Sequence, residues 1–187
     1  GMRYMLGETT YFRPQAMFCR RKAAEGAFGN YVYAEGEYIH DVDSWCNLRQ
    51  VSKSRSIGKA GQEWEALSRK YYKRGCLGGP MHYPTHSTSG PVCVMKAHAT
   101  KVTGYGYRNQ DGDPYQKNSA FTNEVALFKM SNGAAVRIAE MRETPGSIDP
   151  TEGEMFRVMG THGTFTMNTW YQIKRPDYNN IDMDHLP

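Results

Sequence analysis

Asn123-Glu-Val-Ala-Leu-Phe-Lys-Met130, then Ser131-Asn132-Gly133, then Ala134-Ala-Val-Arg-Ile-Ala-Glu-Met141 reads as two strands closed by a tight turn. Val, Ile and Phe suit the pleated backbone, and Asn-Gly supplies the backbone angles a hairpin turn requires. The signature returns downstream, where Met155–Met159 and Thr164–Trp170 flank a second turn at His162-Gly163. Lys101–Arg108 adds one more strand-like run before the first hairpin. Strands joined by turns this short are antiparallel.

Upstream the character is different. Residues 14–25 read as a helix that opens on Pro14, carries Met17, Arg21 and Ala24 on one face, and stops at Gly26 or Gly29. Tyr31–His40 is a strand whose alternation turns Val32, Ala34, Tyr38 and His40 the same way. Gly36 within it points to a bulge or to the close approach of another backbone. Residues 42–60 are polar and read as a loop. A helix follows from Gln62 to Arg74, with Trp64, Leu67 and Tyr71 as a stripe expected to pack into the core. The Gly/Pro-punctuated loop Gly78–Thr88 leads into another helix, with Pro84 in its first turn and Pro91 as a kink or restart. The tail after Arg175 is polar and expected to be loose. Helices gathered early and hairpins gathered late predict an α+β fold: one open, largely antiparallel sheet with helices packed on one face.

With 187 residues the chain is long enough for one domain and its core. A 39% hydrophobic and 22% charged composition excludes a wholly disordered chain. The net charge of +4 comes from scattered groups, Arg20-Arg21-Lys22 and Lys70 with Lys73-Arg74, at helix ends rather than along a stripe; no nucleic-acid partner is expected. No run is long and apolar enough to span a membrane and nothing reads as an export signal, so a cytoplasmic location is expected. Cys19, Cys46, Cys76 and Cys93 lack any Cys-x-x-Cys spacing, so no zinc site is expected, and free thiols are read ahead of a disulfide. Thirteen tyrosines and three tryptophans fit half-buried strand faces and a sugar cleft alike.

No G-x-G-x-x-G stands between a strand and a helix; Gly104-Tyr-Gly106 and Gly160-Thr-His-Gly163 are strand or turn glycines. No cofactor-binding residue is therefore assigned. The densest chemistry is His82-Tyr83-Pro84-Thr85-His86. One reading makes His86 a general acid/base, because imidazole takes and returns protons near neutral pH. The other makes the segment a helix cap, with both histidines solvated or packed. For Tyr38-Ile-His40-Asp41 a core or hydrogen-bonded histidine competes in the same way with one whose tautomer is oriented by Asp41.

Met5–Tyr11, the Gly26-Ala-Phe-Gly29 turn, Tyr38-Ile-His-Asp41, the loop to His86 and Val158–Thr164 together resemble the C-terminal, substrate-binding domain of Gfo/Idh/MocA oxidoreductases, over residues 5–175. The resemblance implies a nucleotide-binding half outside this chain, NAD or NADP as the cofactor of the whole enzyme, and a sugar or polyol substrate. It implies a homo-oligomer through the sheet, and a chain that by itself is inactive. The family's catalytic histidine falls on His86, and the aspartate four residues before it is replaced by His82. Tyr38-Ile-His-Asp41 with Tyr83-Pro-Thr-His86 is also similar to the family's NAD-dependent glycosidases, which work by redox-elimination. In that scheme Tyr83 or His86 is base and shuttle, with Tyr38 and His40 lining the sugar. Catalytic roles are thus expected at His86 and Tyr83, and substrate contacts at Tyr38, His40, His82 and Thr85. A third possibility from a different class is a carbohydrate-binding or dimerisation module without catalysis.

Overall fold

The computed structural model describes residues 2–5, 7–40, 58–74, 81, 84–110, 121–144, 154–172 and 181–182. The helices are α1 (Thr9–Phe12), α2 (Pro14–Ala24), α3 (Lys59–Lys73) and α4 (Thr85–Met95). The strands are β1 (Tyr31–Ile39), β2 (Ala99–Tyr107), β3 (Asn123–Met130), β4 (Ala135–Met141), β5 (Glu154–Gly160), β6 (Gly163–Thr166), β7 (Thr169–Gln172) and β8 (Ile181–Asp182). They form one eight-stranded sheet in the order β2-β3-β4-β1-β5-β6-β7-β8. Among the described residues only β1 and β4 run parallel; every other neighbouring pair is antiparallel. The fold is α+β, as the hairpin pattern predicts.

The register explains where the core lies. Phe128, Val136, Ala34, Val158, Phe165 and Trp170 are successive cross-strand partners, a row that crosses six strands on one face. From Val136 to Trp170 each member is at most 2% exposed. Phe18 of α2 and Phe28 meet the Trp170 ring edge-on, at centroid distances of 6.1 and 4.8 Å. Burying large side chains such as these stabilises the fold by about 1.5–3 kcal/mol each. The next row along the strands is Ala126, Ile138, Gly36 and Phe156. The row after that is polar: Glu124, Glu140, Tyr38 and Glu154.

Helix α4 lies over the second row, across β1, β5 and β4, and α1 and α2 pack against it. Gly36 permits this seat, since a Cβ there would overlap the Ser87 carbonyl of α4. Of the two explanations the sequence leaves open for Gly36, close backbone approach is the one realised. Helix α2 starts on Pro14 as expected, and Gly26 and Gly29, at φ +68° and +67°, turn the chain into β1. Cys19 and Cys93 are free thiols, and burial pushes both up in pKa, Cys93 to about 11.

Several expectations need correction. Thr164–Trp170 is not one strand: Met167 and Asn168 adopt positive φ and split it into the β6–β7 hairpin. Pro84 is the N-cap of α4 rather than a residue of its first turn, and the helix continues through Pro91. Past Arg175, Ile181–Asp182 pairs with β7. Leu67 does not join the core; it is 48% exposed, and α3 packs against no strand extensively among the described residues. Helical periodicity shows that a stripe exists but not what covers it. The loop expected over residues 42–60 is cut short by α3, which begins at Lys59; its residues 42–57, with Cys46 and Cys76, lie outside the described residues.

Substituting Gly36→Ala forces the first turn of α4 off the sheet. Urea denaturation should show a loss of about 2–3 kcal/mol, while Gly7→Ala, in open space, should stay within about 0.5 kcal/mol of the parent.

Candidate active site

The polar row sits at the carboxyl ends of the parallel pair β1–β4, beneath the first turn of α4. His86, the second residue of that helix, projects over it. Its ring stacks on Tyr38, with centroids 4.5 Å apart and planes at 21°. Tyr38 also stacks on His40, at 5.3 Å and 8°. These two are neighbours because residues i and i+2 of a strand share a face, as the alternation in β1 predicts. The Arg142 guanidinium, just past β4, lies 4.5 Å from the centre of the Tyr38 ring.

His86 Nδ1 is 2.7 Å from Glu154 Oε1 and 3.8 Å from Glu8 Oε1. The 2.7 Å contact is ionic in distance but lacks the alignment of a linear hydrogen bond. Glu154 is itself held firmly. Thr10 Oγ1 donates to its Oε2 at 2.8 Å, and Arg13 Nη2 lies 2.7 Å from the same oxygen. Thr10 Oγ1 also lies 3.2 Å from the His86 carbonyl oxygen, so α1 braces both partners. With its carboxylate on Nδ1, the imidazole keeps Nε2 for an incoming group, and its side chain is 32% exposed.

Glu140, beside Tyr38 in the register, is fully buried. It hydrogen-bonds with Ser87 Oγ and forms an ion pair with Arg142 Nη2 at 3.0 Å. Burial pushes its pKa up, and the Ser87 and Arg142 contacts only partly oppose this; the outcome is about 7. On the β3 side of the row, Glu124 Oε2 accepts the Met81 amide at 2.6 Å.

Of the residues expected from sequence, the structure brings together Tyr38, His40 and His86. Thr85 opens α4 with an exposed side chain. His82 and Tyr83 lie outside the described residues. Sequence reasoning missed Glu8, Glu154, Glu140, Ser87, Arg142, Thr10 and Arg13. Glu154 is 68 residues from His86 in the chain and meets it only through the β1–β5 register. Glu140 did leave a signal. It shares parity with Val136 and Ile138, so it is a carboxyl on the apolar face of its strand, a placement proteins rarely tolerate without a partner.

No protein-family model matches this chain, and no curated protein does either. Solved structures do share its fold. An oxidoreductase domain protein from Kribbella flavida matches with a TM-score of 0.64 at 16% identity, over 97% of this chain and 47% of that one. An NAD binding oxidoreductase from Klebsiella pneumoniae matches with 0.65 at 18% identity, over 95% and 46%. A scyllo-inositol dehydrogenase from Lactobacillus casei, solved with NAD(H) and scyllo-inositol, matches with 0.59 at 11% identity, over 88% and 41%. The chain therefore spans less than half the length of these proteins. Among the described residues, no helix is long and apolar enough to cross a membrane.

The buried Glu140 makes stability depend on pH. Its folded-state pKa of about 7 lies above the ordinary 4.5, so the folded chain holds the proton more tightly and stability falls as pH rises from 4.5 to 7. The fall is on the order of 3 kcal/mol for one group. Denaturant titrations at a series of pH values should show this slope, and Glu140→Gln should flatten it.

Proposed function

We propose that this chain is the substrate-binding part of an NAD- or NADP-dependent oxidoreductase of Gfo/Idh/MocA type that acts on a sugar or polyol, with His86 as its acid–base group. The observation that carries the reading is the His86–Glu154 contact at the carboxyl ends of the parallel strand pair. In the resembling family an aspartate four residues before the histidine is its partner, and here that position is His82. Glu154 supplies a carboxylate to the same imidazole from the sheet. The fold shared with oxidoreductases supports the class, and the fraction of their length that is matched supports a nucleotide-binding half elsewhere in the protein.

The chemistry follows from the residues. A nicotinamide held by that other half would supply the hydride acceptor for the carbon bearing the reacting hydroxyl. His86 takes the hydroxyl proton on Nε2, and Glu154 balances the charge that develops on the ring. Tyr38 and His40, stacked beside His86, are assigned as the side chains that line the sugar. Arg13 and Arg142 are each engaged by a glutamate, so the row favours neutral hydroxyls over a phosphate or carboxylate. His82 and Thr85 are assigned to the substrate side, and Tyr83 keeps the catalytic role that the similarity to the glycosidases gives it. The redox-elimination alternative leans on Tyr83 as base, and no described contact favours it over simple oxidation.

The face of the sheet away from α4 is assigned to a second copy of the chain. At its centre Arg137 pairs with Glu35 and Glu37, and Arg157 Nε lies 2.9 Å from Glu35. Around that neutralised cluster Tyr105, Leu127 and Met155 are 82%, 52% and 52% exposed. A charge-balanced centre with an apolar surround suits an isologous contact. Leu127→Glu should then shift the sedimentation of the protein towards monomer; an unchanged oligomer contradicts this assignment.

In the intact protein, His86→Ala should lower turnover of a polyol by about 10²–10⁴-fold, with far-UV circular dichroism unaltered. Glu154→Gln should cause a smaller loss in the same direction. Turnover followed by nicotinamide absorbance checks both, and full activity in His86→Ala removes the acid–base assignment.

A further inference from the structure

We infer that Ser87, Glu140 and Arg142 form a clamp that positions His86, fixing the first turn of α4 so that the imidazole rests on Tyr38 with Nδ1 at Glu154. The inference rests on the reading of His86 as the acid–base group, and it concerns a residue that the proposed chemistry does not use. Glu140 reaches no substrate: it is fully buried beneath the helix. A carboxyl in that position is costly, and an apolar side chain of similar size would stabilise the sheet better. What it gains is a grip on the helix. Ser87 follows His86 directly in the chain, and its Oγ contacts both Glu140 and the Pro84 carbonyl oxygen, the latter at 3.1 Å.

Hydrogen counting shows that the grip survives a change of protonation. A serine hydroxyl has one proton to donate and two lone pairs to accept with. When Glu140 is ionised, Ser87 donates to it. When Glu140 is protonated, it donates to Ser87 Oγ, and Ser87 turns its own proton to Pro84. Both arrangements tie α4 to β4 across the same atoms. Arg142 completes the clamp at its far end, joining Glu140 at 3.0 Å and covering the Tyr38 ring on which His86 lies. The groups around Glu140 are thus Ser87 from α4, Arg142 beyond β4, and Tyr38 and Glu124 as register neighbours from β1 and β3. Gly36 sets the height of the helix above the sheet, and the clamp sets its position along the strands.

The test is the imidazole nitrogen spectrum of His86 in the 187-residue chain, assigned by difference against His86→Gln. In the parent chain the two ring nitrogens should be widely separated, as expected for an imidazole whose Nδ1 is held against the Glu154 carboxylate. Ser87→Ala removes the hydroxyl link without changing charge, leaving only the residue-87 amide on Glu140, and should move both signals toward the averaged values of a free histidine. Glu140→Gln keeps a side chain able to hydrogen-bond Ser87, and should stay near the parent. Backbone amides of β6 and β7, remote from the clamp, report that each variant is folded. A folded Ser87→Ala chain with an unchanged His86 spectrum overturns the clamp, whatever the activity. A displaced spectrum with undiminished turnover in the intact protein supports the clamp and overturns the acid–base reading instead.

Discussion

The seat of α4 on Gly36 is the constraint from which the rest of the site follows. A helix packed on a sheet normally stands off by the thickness of two layers of side chains. Here the Ser87 carbonyl occupies the space a side chain at position 36 would need. That brings the first turn of the helix down to the strand, and puts His86 within stacking distance of Tyr38, two residues further along β1. Any side chain at position 36 would raise the helix and part the imidazole from Glu154.

The three rows across the sheet turn this local contact into a functional gradient. The apolar row of Val136, Ala34, Val158, Phe165 and Trp170 provides the stabilisation, and α2 closes over it. The polar row four residues away along the strands is costly to bury, and it survives because its carboxylates are paired or hydrogen-bonded. Glu154 has Thr10, Arg13 and His86; Glu140 has Ser87 and Arg142. The site is thus an extension of the core in geometry and an exception to it in chemistry. Its position at the carboxyl ends of the one parallel pair matches the general tendency of ligands to bind where such strands end.

Much of the fold was legible in the sequence because period-two alternation and turn residues act locally. The Ser131-Asn132-Gly133 turn, the strand ending at His40 and the helix opening on Pro14 all depend on a few adjacent residues. The β6–β7 split was not legible, since it depends on Met167 and Asn168 taking positive φ, which Met rarely does. Nor was the exposure of Leu67, because an amphipathic pattern does not name its partner. For the site, Tyr38, His40 and His86 were found as short polar clusters. Glu154, Glu8 and Arg13 carry no local mark, and the register and the packing of α1 bring them to His86.

In the proposed reaction His86, braced by Glu154, faces the hydroxyl whose carbon loses hydride. The most direct measurement is a crystal structure of the intact protein with nicotinamide cofactor and a polyol bound. His86 Nε2 should then lie about 2.6–3.2 Å from the hydroxyl on the carbon nearest the nicotinamide, with Nδ1 still at Glu154. A polyol bound elsewhere, or with its reacting hydroxyl turned to another side chain, would contradict it.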